Sequence, residues 1–189
     1  MMKLFSSLFG ANAAPSPAQV QTTDPELKKV QPLAHYLALA IRQSGALTPR
    51  GEATVAEYLR DFGQMPGQPG SQAQRSAKAE ADVLLDIRAA ELLRAPLSPR
   101  RSLSTYADEL HRNALMQKER HDAVLQMRDF CEEMSLTLVG TGDECEWCRA
   151  NDGRHFGVHE DPNDLLARHC RCAPYSPATF HPAIKAFDA

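Results

Sequence analysis

Four of the five cysteines stand in one C-terminal stretch, GDECEWCRANDGRHFGVHEDPNDLLARHCRC, which runs from Gly142 to Cys172. Cys145 and Cys148 form a Cys-x2-Cys pair, a spacing that lets two thiolates from one tight turn reach a single ion. The second half of the stretch, His-Cys-Arg-Cys, offers His169, Cys170 and Cys172 as further donors. Two separated ligand pairs of thiolate and imidazole in a loop-rich segment are the sequence form of a tetrahedral structural zinc site. The cofactor expected here is therefore a structural Zn²⁺ held within Cys145, Cys148, Cys170, His169 and Cys172.

Other chemistries fit the pattern less well. Paired disulfides require an oxidising compartment, and five cysteines leave one over after full pairing. Redox use of Cys145 and Cys148 wants a βαβ context that the flanking residues do not provide. A zinc deaminase places His-x-Glu ahead of its Cys-x2-Cys, whereas here the Cys-x2-Cys comes first. His155, His159, Asp161, Asn163 and His169 lie between and beside the cysteine pairs, as they would in a zinc-braced nuclease of the HNH type. HEDPNDLL nevertheless compresses the histidine and the asparagine too tightly for a hairpin followed by a helix. Asn151-Asp152-Gly153 is a turn signal, and Trp147 and Phe156 are the expected core of a small module that folds around its ion.

The elements that carry this cluster read as mainly α: a helical hairpin plus long helices, with a small C-terminal α+β zinc-binding module. A flexible tail is expected over residues 1–23. The hairpin spans 24–62, with Thr23 or Asp24 as the first cap, Pro25 in the first turn, Pro32 as a kink or a new start, and Gly45 as terminator. Its second helix has Thr48 as cap and Gly63 as stop, with Val55, Tyr58, Leu59 and Phe62 on one side. Residues 63–73 contain GQMPGQPGSQ, whose glycines and prolines make a linker. The body over 74–139 begins with an alanine- and leucine-rich helix, carrying Val83, Leu84, Ile87 and Leu92, that ends before Pro96. A helix from about Ser104 to Met134 follows, with Leu110, Ala114, His121, Val124 and Cys131 on one stripe, and then a short strand over Ser135–Gly140. The module covers 140–182, and 183–189 form a tail.

Composition narrows the function. A net charge of −3 and a pI near 6.2 provide no electrostatic footprint for free nucleic acid. No apolar run reaches the roughly 18 to 20 residues that span a bilayer, so no membrane partner is expected. MMKLFSSLFGANAAPSPAQ has a lysine, a short apolar run and an Ala-Asn-Ala step that mimic a signal peptide. The run is short and interrupted by Ser6, Ser7 and Gly10, so a docking segment is the expectation and export the alternative.

Taken together, Asp143, Glu144, Cys145, Cys148, Asp152, Gly153, Phe156, Cys170, Arg171, Cys172 and Pro174 resemble the C-terminal signature of the phage Mu F-like minor head proteins, the head morphogenesis family of tailed phages. The signature usually has a histidine three residues before its Cys-Arg-Cys, where this chain has Ala167. The fourth ligand is thus open among His169, Cys172 and His159. The resemblance implies a non-enzymatic virion component at the portal vertex, assembled in the host cytoplasm, which aids head morphogenesis or DNA passage. Its implied partners are the portal protein or the major capsid protein, with self-association possible and contact with viral DNA undecided.

Overall fold

A computed structural model describes residues 30–63, 70–98, 101–140, 142, 144–172 and 175–183. The chain is mainly helical and carries a small antiparallel sheet toward its C-terminus. The expected tail over 1–23 and the caps at Thr23 and Asp24 lie outside the described residues.

Helix α1, Leu33–Ser44, starts after Pro32, whose extended backbone makes it the N-cap; Gly45, in the left-handed region at φ 61°, closes it. Pro32 is thus the new start rather than a kink. Helix α2, Pro49–Phe62, is capped by Thr48, whose hydroxyl accepts from Gly51 N at 3.1 Å. Helix α3, Gln72–Ile87, opens with a capping box between Ser71 and Gln74. The single helix expected up to Pro96 is divided: the chain turns at Arg88 and resumes as α4, Ala89–Leu92. The turn brings Leu92 against α2, where its carbonyl accepts from Thr48 N at 2.9 Å and the side chain is fully buried. Of the apolar residues of this segment other than Leu92, Val83, Leu84 and Ile87 are 58%, 65% and 74% exposed. Lys78 ties α3 to its neighbours, donating to the Tyr58 hydroxyl of α2 at 2.8 Å and to Asp108 at 3.2 Å, and it also bonds to Asp82 on its own helix at 3.1 Å.

Helix α5, Leu103–Met127, is 25 residues long, roughly 37 Å, and ends seven positions before the expected Met134. Phe130 N and Cys131 N both bond to Met127 O, which closes the helix and releases the chain into strand β1, Glu133–Leu138. The strand competes successfully for Met134 and Leu136 because both bury completely in the sheet. The short helix α6, Glu146–Ala150, strand β2, His155–Gly157, helix α7, Pro162–His169, and strand β3, Ala178–Pro182, complete the described elements.

The sheet order is β2-β1-β3, antiparallel throughout, with Met134 opposite Phe156 and Leu136 opposite Phe180. β1, read from sequence as the end of the helical body, is therefore the middle strand of the C-terminal sheet. α5 is the spine of the molecule. Its first half contributes Leu103, Tyr106, Ala107 and Leu110 to a core shared with α1 to α4. Its last turns contribute Val124 and Met127 to a second core built with the sheet and α7. Between them Ala114 packs on Tyr36 and Ala40 of α1.

Candidate metal centre

Cys145 is the N-cap residue of α6 and Cys148 lies in its first turn, so helix geometry folds both sulfurs toward one point. Cys170 is the C-cap of α7, with extended backbone at φ −73° and ψ 140°, and Cys172 follows two positions on. The Sγ atoms of Cys145, Cys148, Cys170 and Cys172 all lie within 4.8 Å of one another, close enough to hold a metal ion. Cys145 and Cys170 are 4.0 Å apart, Cys148 and Cys170 3.4 Å, and Cys148 and Cys172 3.8 Å. A tetrahedron with Zn–S bonds of about 2.3 Å has edges of about 3.8 Å, so these separations fit a tetrathiolate ion site. They are far longer than the about 2.05 Å of a disulfide, and all four thiols are free.

Backbone N–H groups already face the sulfurs. Cys145 N donates to Cys172 Sγ at 3.2 Å, Arg171 N to Cys145 Sγ at 3.3 Å, and Cys172 N to Cys170 Sγ at 3.3 Å. Such donors stabilise thiolate charge and orient ligands. Burial pushes the Cys148 thiol up strongly, and the Cys172 thiol up to about 11. At Cys145 burial acts in the same direction but is outweighed by the hydrogen bonds from Arg171 and Cys148, which bring the thiol down to about 6. Four sulfurs this close do not all ionise against one another, whereas a divalent cation at their centre makes all four thiolates favourable.

Of the five residues the sequence nominates, His169 does not join the sulfur group. It closes α7, is exposed, and lays its ring on Trp147 with 5.3 Å between centroids and 14° between planes. Cys172 takes the fourth position. The polar residues between the cysteine pairs do not converge. His155 meets Glu133 at 3.2 Å on the exposed edge of the sheet, His159 is exposed in a turn, Asp161 caps α7, and Asn163 donates to Gln117 O at 2.9 Å. The four cysteines are the one group of at least three such donors among the described residues. Asp152 holds the end of β1 through Leu138 N at 3.0 Å, and Gly153 takes φ 76° in the expected turn. Phe156 is buried in the second core, with Trp147 packed against it.

Sequence reasoning passed over Arg120. Gln117, Arg120, Val124 and Met127 follow one another at helical spacing and are all buried on α5; the polar character of the first two hid the pattern. Arg120 is 4% exposed and lines a cleft of about 710 Å³ together with Tyr36, His121, Asn163, Cys170 and Cys172. The Tyr36 hydroxyl, His121 Nε2 and Asn163 Oδ1 are buried there without a hydrogen-bond partner among the described residues. Burial pushes the Tyr36 phenol up and the His121 imidazole down, so both stay neutral near pH 7.

The geometry defines the class: a helical protein with a C-terminal four-cysteine cluster able to hold a metal ion. Comparison with known proteins adds no relative, since no protein-family model matches the chain and no curated protein or solved structure is significantly similar to it.

Proposed function

We propose that the chain is a minor structural protein of a tailed-phage head, placed at the portal vertex, whose C-terminal module is held together by one zinc ion on Cys145, Cys148, Cys170 and Cys172. The observation that carries this proposal is the four-sulfur cluster itself, assembled from a Cys-x2-Cys and a Cys-Arg-Cys pair that resemble the phage Mu F-like signature. Thiolate donors in a closed set of four favour zinc and leave no coordination position for substrate, so the ion acts on the fold. The protein then works by binding. The portal protein and the major capsid protein are the proposed partners, with assembly in the host cytoplasm.

Two structural features support an assembly role. Asp143 and Pro174 of the signature lie outside the described residues, but Glu144 is buried, Asp152 and Gly153 form the turn tied to β1, and Phe156 sits in the core against which Cys170 packs. On α3, Val83, Leu84 and Ile87 lie at i, i+1 and i+4, forming one exposed apolar strip. That strip is the surface assigned to the protein partner.

Native mass spectrometry with and without a chelator tests the metal. About one zinc per chain with unoxidised cysteines is expected, and two intact disulfides without metal would sink the proposal. Co-purification with portal or procapsid tests the assembly role. Mg²⁺-dependent nicking of plasmid DNA, abolished by His159→Ala, would replace that role with nuclease chemistry.

A further inference from the structure

Arg120 is a buried cation without a carboxylate. It makes no ion pair among the described residues, and its neighbour Glu119 is exposed. Nε donates to Ala178 O at 2.8 Å and a terminal nitrogen donates to Ser176 O, both in the segment that leaves Cys172 for β3. Two carbonyls satisfy part of a five-donor guanidinium and none of its charge. A charge taken from water this completely requires an anion nearby. Ser176, whose carbonyl accepts from Arg120, also sets its hydroxyl 3.8 Å from Cys148 Sγ. Cys170 and Cys172 share its cleft.

We propose that Arg120 is the internal counter-cation of the metal centre, and that metal binding and the docking of α5 onto the C-terminal module are coupled through it. This inference rests on the zinc reading of the cluster. Four thiolates around a divalent ion retain two negative charges, which in a poorly solvated site need compensation. Arg120 supplies one positive charge from α5 while its N–H groups hold the chain just beyond Cys172. With the metal bound, the guanidinium has its anion. Without the metal, the guanidinium has no anionic centre beside it, and the buried charge weighs against the docked arrangement.

The coupling is measured by titrating the full chain with Zn²⁺ in competition with a chromophoric chelator, and with Co²⁺ to record the tetrathiolate absorption. The variants are Arg120→Met, which removes the charge at similar bulk, and Arg112→Met as an exposed control on the same helix. The native chain and Arg112→Met should bind equally, and Arg120→Met about ten-fold more weakly or worse. Packing alone could also weaken binding, so the comparison is repeated in a Cys172→His background, where one thiolate is replaced by neutral imidazole. Charge compensation predicts that the Arg120→Met penalty shrinks to about three-fold or less there; an undiminished penalty would show that Arg120 only fills space. If Arg120→Met does not fold, Arg120→Lys decides, because it keeps the charge: affinity within about three-fold of native supports the inference and a loss of about ten-fold overturns it. A native chain that binds neither ion removes the zinc reading itself. Native binding with undiminished affinity in Arg120→Met removes only the counter-cation.

Discussion

Cys148 Sγ stands 3.4 Å from Cys170 Sγ although 22 positions of chain separate them. One sulfur rides on α6 and the other ends α7, and the two helices bracket β2, whose Phe156 is buried in the same core as Leu165 and Leu166. Hydrophobic packing therefore brings the two cysteine pairs face to face, and the four-cysteine cluster is a product of that core.

Cys172 and His169 are competing candidates for the fourth position, and the geometry separates them. Cys172→Ala should cost at least about ten-fold in zinc affinity, while His169→Ala should stay within about three-fold of native. Competition titration reads both. A larger loss in His169→Ala than in Cys172→Ala would place the histidine in the coordination shell.

The contact between α2 and α4 leaves no room for a side chain at Gly51, where an added Cβ would lie 2.1 Å from Leu92 O. Gly51→Ala should destabilise the chain by about 3 kcal/mol or more, because backbone is the obstacle and the helices must separate. Gly140→Ala, with nothing within 4 Å of the added atom, should change stability by less than about 0.5 kcal/mol. Urea denaturation of the two variants checks both.

Buried histidines predict acid sensitivity. Burial lowers His111 and His121 below the ordinary 6.5, so the unfolded chain binds protons that the folded chain refuses. Their contribution to stability is complete above 6.5 and is lost as pH falls from there through the lowered folded values. Thermal midpoints measured with zinc held saturating should fall between about pH 7 and pH 5. The slope should flatten in His111→Gln/His121→Gln, and an unchanged slope would assign the loss to other groups.

Under the proposed head-assembly role, the apolar strip on α3 should be dispensable for folding and needed for assembly. Leu84→Gln and Ile87→Gln remove residues that are 65% and 74% exposed, so stability should move by no more than about 0.5 kcal/mol. Recovery with portal or procapsid should drop. A variant that loses stability instead would show that the strip packs within the chain.

Much of the helical body was legible in the residues alone. Thr48 caps a helix through a local hydrogen bond, and Gly45 ends one because its backbone is left-handed; such signals act over three or four residues. The Cys-x2-Cys pair is equally local, since one helical turn is enough to align its sulfurs. Where an element stops was less legible. The break at Arg88 and the early end of α5 depend on Leu92 reaching α2 and on Met134 and Leu136 entering a sheet, contacts between residues distant in sequence. β2 and β3 are too short to announce themselves, and each is stabilised by pairing with β1.

What the sequence determined by itself was therefore the helical class, the caps and the presence of two thiolate pairs suited to one ion. Tertiary structure alone decided that Cys172 rather than His169 completes the group, that β1 belongs to the sheet behind it, and that Arg120 of α5 lies buried beside it. The physical reason is the range of the forces: hydrogen bonds and backbone preferences act along a few residues, whereas burial and charge compensation are settled between segments that meet only when the cores close.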